Sequence, residues 1–115
     1  MSAETVILAP NGQLGYGIPE DSMQQARDRF DIDVIALDAG SVDQGPFYLG
    51  HGDAHTNEDI IRRDLQIVLE AAAAEDVALL ISPMVSAGAP AHLDMGARIG
   101  ADVIESSGLD LDVAR

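Results

Sequence analysis

Three histidines stand in a chain of 115 residues that has no cysteine, so disulfides, thiol nucleophiles and thiolate metal sites are excluded. Two of them, His51 and His55, flank Asp53 in an H-x-D-x-H spacing. In an extended segment these three side chains point the same way, and two imidazoles with a carboxylate suit a transition metal. An aspartate-rich chain also produces that spacing by chance, so it stands as a candidate set for a metal-dependent hydrolase or lyase and no more. His92 and Asp94 fall in the first turn of an expected helix. The positive end of the helix disfavours imidazolium there, leaving His92 as a neutral base, a hydrogen-bond donor or a cap. Asp38 and Asp43 could supply a carboxylate base or order a loop. Ser41 has no base near it in sequence, so a serine nucleophile is not expected.

A glycine-rich turn, N-G-Q-L-G-Y-G, spans residues 11–17. Its glycines let backbone amides approach an anion at a helix start. Asp38 follows Gly17 by 21 positions, near the spacing of a ribose-binding acid. The glycines nevertheless run G-x-x-G-x-G, which departs from the dinucleotide fingerprint, and no cofactor is indicated. The expectation is an anionic ligand on the amides of Gly15 and Gly17, with a purely structural turn as the alternative.

Short apolar runs position these residues. Thr5–Ala9, Asp33–Asp38 and Val77–Ile81 read as strands. Pro19, followed by Glu20 and Asp21, opens a helix to about Phe30. Thr56 is the expected cap of the next helix, with Asp59 three residues on. Its stripe is Ile60, Ile61, Leu65, Val68, Leu69 and Ala72, with Arg62, Arg63, Asp64 and Gln66 off it. A further helix starts at Pro90, weakened by Gly96 and Gly100, and the alternating tail 109–113 suggests a fourth strand. Residues 38–55 form a long loop, which in a compact domain is usually functional or disordered. Phe47, Tyr48 and Leu49 give it apolar surface to bury.

The order β-α-β-α-β-α predicts a single α/β domain over residues 1–115. Its expected core is a three- to four-stranded parallel sheet with helices on both faces, a Rossmann-like half. Right-handed crossovers bring every strand-to-helix loop to the carboxy edge of the sheet, where open α/β sheets bind ligands. Those loops, Pro10–Ile18, Asp38–Thr56 and Ser82–Ala91, hold His51, His55, both tyrosines and eight of the eleven glycines, and His92 follows the third by one residue.

Twenty acidic residues face six basic ones, all arginine, for a net charge of −14, and Asp outnumbers Glu by 14 to 6. Such self-repulsion weakens a compact state unless salt screens it, so a salt-adapted protein is expected. Nucleic acid is a poor partner for this charge. No apolar run spans a bilayer and no signal-peptide pattern opens the chain. A cytoplasmic protein without membrane contact is the expectation.

P-N-G-Q-L-G-Y-G-I-P-E at 10–20 and D-A-G-S-V-D-Q-G-P-F-Y-L-G at 38–50 resemble amino-terminal signatures of the acyclic terpene utilisation protein family. Ala87-Gly88-Ala89 followed by His92 is similar to that family's small-residue loop. The resemblance covers roughly residues 5–95; family members are several times longer, and the tail after Ala97 departs from their pattern. It implies a fragment, a split subunit completed by a partner chain, or a reduced homologue, acting on small organic acids or acyl compounds. As site positions it implies Gly15, Gly17, Asp38, Ser41, Asp43, Gly45, Tyr48, Gly50 and His92, and it does not support His51, Asp53 or His55.

The function expected is the amino-terminal part of a small-molecule enzyme, lyase-like in its proton transfer, with Asp38 and His92 moving the proton. Tyr16, Tyr48 and the glycine-loop amides would orient an anionic carboxylate or acyl substrate. The alternatives are a non-catalytic binding or subunit module, a homo-oligomer among its forms, and the metal-dependent hydrolase or lyase on His51, Asp53 and His55.

Overall fold

The structure, a computed structural model, describes residues 4–40 and 45–115. The chain runs β1 (Ile7–Leu8), α1 (Glu20–Arg29), β2 (Val34–Asp38), α2 (Gly45–His51), α3 (Glu58–Glu75), β3 (Ala78–Ser82) and α4 (Pro90–Ser107). The strands form a parallel sheet in the order β1-β2-β3, with Ile7 opposite Val34 and Val34 opposite Ala78. This is the expected α/β class. The described residues give three strands; the tail expected as a fourth instead lies along β3, α3 and α4 through Leu111 and Val113. Arg115 ties it to Asp94 at 3.0 Å.

β1 is shorter than its apolar run. The Val6 amide donates to the Asp33 carboxylate at 2.7 Å, and the Val6 carbonyl accepts from the Asp33 amide at 2.9 Å. A side chain thus takes the ladder bond just before the strand.

The sequence reading placed helices on both faces of the sheet; α1, α3 and α4 stand on one. Strand order 1-2-3 moves each crossover in the same direction, and right-handed crossovers then deliver their helices to the same side. Arg27 of α1 meets Glu75 of α3 at 2.7 Å, and Arg62 of α3 reaches Asp102 of α4 at 3.3 Å. Leu8, Ile35, Leu37, Leu79 and Ile81 join the core with these helices. On the opposite face Ile7 and Leu80 are 61 % and 60 % exposed, and Val34 and Ala36 are half-buried.

α3 is the centre of the core. Ile61, Leu65 and Val68 are buried, each contributing about 1.5–3 kcal/mol by leaving water. Its cap is Asn57, whose side chain accepts the Asp59 amide at 2.8 Å, so the cap sits one residue past the Thr56 expected. Ile60, placed in the buried stripe, is 42 % exposed, whereas Asp64, placed off it, is fully buried.

The segment 38–55, read as a loop, contains α2. Glycines near both ends and seven residues of mixed character give little periodic signal, although proline in a first turn is compatible with a helix. Phe47 stacks on His51 one turn on, with ring centroids 4.6 Å apart. Phe47 and Leu49 remain exposed and only Tyr48 is partly buried, so the aromatic run does not serve as a core element. No described helix is long and apolar enough to cross a membrane.

Candidate functional site

The three strand-to-helix loops meet at the carboxy edge of the sheet and are tied pairwise. Loop 10–18 joins loop 38–57 where the Leu14 amide donates to the Asp38 carbonyl at 2.8 Å and where the Tyr16 hydroxyl meets His55 Nε2 at 3.0 Å. A Cβ on Gly15 would overlap Thr56 Oγ1, which fixes glycine at that position. Loop 38–57 joins loop 83–89 at Gly40, whose Cβ would strike the Ser86 carbonyl.

Asp64 is the residue that sequence reasoning missed. Its carboxylate rises from α3 and accepts the amides of Gly15 (2.9 Å), Gly17 (3.1 Å) and Ile18 (3.0 Å). Arg63 donates to the same carboxylate at 3.1 Å. The anion received by the glycine turn is therefore internal, and the Gly15 and Gly17 amides expected to meet a ligand are spent. Its position offered a signal: 61, 64, 65, 68 and 72 fall on one helical face.

His92 is fully buried. The Ala89 amide donates to its Nδ1 at 3.1 Å. An amide only donates, so Nδ1 is the acceptor and Nε2 carries the proton, which it gives to the Asp53 carbonyl at 2.8 Å. This neutral tautomer closes the start of α4 and pins the end of loop 38–57, with both ring nitrogens engaged. Asp38 is exposed at the end of β2, where its Oδ1 accepts the Gly40 amide at 3.1 Å.

The H-x-D-x-H residues are separated because His51 ends α2 and Gly52, at a φ of 77°, turns the chain. His51 faces Asp53 at 3.7 Å on the surface, while His55 lies between Tyr16 and Tyr48, ring centroids 5.9 and 5.3 Å away. The extended segment that would aim all three side chains together is not formed. Among the described residues no three acidic or imidazole groups gather as a metal-holding set. Ser41 and Asp43 lie outside the described residues. Gly45 opens α2, with Tyr48 and Gly50 in the same helix.

Six buried side-chain polar atoms have no hydrogen-bond partner among the described residues: Asn11 Nδ2 and Oδ1, Gln13 Nε2, His55 Nδ1, Thr56 Oγ1 and Ser86 Oγ. All belong to the three carboxy-edge loops. Such groups cost about 1–3 kcal/mol each when left unmade, and native proteins keep few of them without a functional reason. Val85, beside Ser86, holds a φ of 66°, a conformation that costs a β-branched residue about 1–3 kcal/mol and clusters at functional sites.

The two larger clefts lie away from this edge. One of about 320 Å³ separates α1 from α3. The other, of about 380 Å³, lies between β3, α3, α4 and the tail. Neither is lined by any of the unpartnered atoms, so the chemistry points to the edge and not to the larger hollows. At the start of α3, Glu58 is held below its usual range by the hydrogen bond from Arg98, which fastens α3 to α4 beside the site. Comparison with protein-family models, curated proteins and solved structures gave no match.

Proposed function

We propose that this chain is the α/β part of a small-molecule metabolic enzyme, cytoplasmic and salt-adapted, that binds an organic substrate at the carboxy edge of its sheet. The observation that carries this reading is the convergence of the six unpartnered polar atoms on the three loops of that edge. The resemblance of residues 10–20 and 38–50 to acyclic terpene utilisation proteins points to the same loops and favours lyase-type proton transfer. Asp38, exposed at the end of β2, is the carboxylate to which this reading assigns the proton. Of the imidazoles, His55 suits the task better than His92, because it contacts Tyr16 and keeps Nδ1 unengaged, whereas both nitrogens of His92 hold the loops. His92 is thus a positioning residue in this reading.

A thermal-shift screen of acyl-CoA compounds, hydroxy acids and nucleotides at high salt tests it. A ligand is expected to raise the melting temperature of the parent protein, and Thr56→Val and Gln13→Leu should abolish that rise. Ligands whose effect survives both substitutions bind elsewhere, and the reading fails. For a ligand that is turned over, Asp38→Asn should remove turnover while leaving the melt close to that of the parent.

A subunit module completed by another chain is favoured by one separate observation, the exposed Ile7 and Leu80 on the uncovered sheet face, since parallel sheets are ordinarily covered on both sides. Sedimentation of the purified chain separates the two readings. A monodisperse monomer that binds ligand supports the enzyme part alone, while an assembly lost in Leu80→Asn supports the module.

A further inference from the structure

Charge at the carboxy edge selects what can bind there. All six arginines are described, and the chain has no lysine. Arg63, the one nearest the glycine turn, is committed to the Ile18 carbonyl, Glu20 and Asp64. Arg62 and Arg98 are held by Glu58 and Asp102, Arg27 by Glu75 and Arg115 by Asp94. Arg29 lies in the last turn of α1, at the opposite end from this edge. The sequence of residues 41–44, Ser-Val-Asp-Gln, adds no cation.

Several of the described backbone donors at this edge are taken as well. The turn amides serve Asp64. The start of α3 is capped by Asn57 and carries Glu58 and Asp59 in its first turn. The Ala89 amide, at the start of α4, is taken by His92. What remains is a set of neutral groups, two amides, two hydroxyls and an imidazole nitrogen, beside the exposed carboxylates of Asp38 and Asp53. Amide and hydroxyl groups both donate and accept, and they pair best with groups that do the same. A buried anion without a cation keeps much of its desolvation penalty, which neutral donors offset only in part, and the neighbouring carboxylates add repulsion.

We propose that the site takes an uncharged ligand group bearing hydroxyl or amide (acyl-derivative) functions and rejects a free carboxylate or phosphate. This rests on the carboxy-edge reading above and replaces the anionic ligand expected from the glycine turn. The reacting part of a substrate would enter as an alcohol, amide or ester-like acyl group, and any acid it carries would lie outside the edge.

The test uses the full chain labelled with ¹⁵N, titrated separately with acetamide, glycerol and potassium acetate at ionic strength matched with potassium chloride. The readout is the side-chain amide signals of Asn11 and Gln13 and the backbone signals of Thr56 and Ser86. Acetamide or glycerol should shift these signals saturably, at least about tenfold more tightly than acetate. The gap should narrow from the lowest salt at which the protein stays folded to molar salt, because charge exclusion is screened. Acetate binding as tightly as acetamide, or a gap that salt does not change, overturns the charge selection while leaving the site in place. If no probe shifts these signals, the carboxy-edge reading fails and this inference fails with it.

Discussion

Asp64 and the unpartnered polar atoms are opposite solutions to burying polarity. The Asp64 carboxylate is buried yet satisfied by three amides and Arg63, so it shapes the turn that carries Gln13 and Tyr16. Asp64→Ala leaves those amides without an acceptor and should lower the unfolding free energy by about 2–4 kcal/mol, read in a denaturant titration. Asp64→Asn keeps one acceptor oxygen and should lose roughly half as much. A loss under about 0.5 kcal/mol for the alanine variant would contradict this account. Thr56 Oγ1 is the converse case: it is buried, pressed against Gly15, and unpartnered among the described residues. Thr56→Val removes an unsatisfied hydroxyl at constant shape and should stabilise the protein by about 1 kcal/mol while weakening ligand binding. A destabilised valine variant would instead assign Thr56 a structural bond.

Between elements, α4 meets the end of β3 through a close contact that two glycines distinguish. A Cβ on Gly96 would overlap Met84, whereas one on Gly100 meets nothing within 4 Å. Gly100→Ala should add about 0.5–1 kcal/mol through helix propensity, and Gly96→Ala should be less favourable than that, because the Met84 side chain must move to admit the Cβ. Thermal melts of the two variants in one buffer check the pair, and equal shifts would mean that the α4–Met84 contact is looser than described. In sequence the two glycines look alike, as interruptions of one stripe; only the neighbour tells them apart. α2 was illegible for a related reason, because its glycines and its exposed Phe47 and Leu49 carry no burial period. α3 was legible, since Ile61, Leu65, Val68 and Leu69 repeat at helical spacing over 18 residues.

At the scale of the whole molecule, charge sets the conditions under which the fold holds. The excess of 20 acids over 6 arginines outweighs the ion pairs that salt would weaken, so screening should be net stabilising. From low to molar salt the melting temperature should rise by at least about 4 °C, equivalent to about 1 kcal/mol for a domain of this size. A flat or falling profile would remove the salt-adapted reading. Glu58 acts in the acid range. Its folded pKa lies below the ordinary 4.5 because of the Arg98 hydrogen bond, so its contribution is fully present above that value and is lost as pH falls through the lowered one. Arg98→Gln should therefore reduce the difference in stability between neutral and acid pH, and more so at low salt.

Sequence alone determined the class of the fold and the edge at which its strand-to-helix loops gather. Continuous apolar runs alternating with helical stripes require a parallel α/β sheet, and crossover handedness sends the glycine, tyrosine and histidine loops to one side. It also determined the charge, which needs no coordinates. The tertiary structure decided how those groups are used. It put Asp64 under the glycine turn, committed both nitrogens of His92 to the backbone, and parted His51 from His55 across Gly52. It also left one sheet face open. The Asp64 and His92–Asp53 contacts join groups 39 to 49 positions apart in the chain, and local spacing carries no record of that.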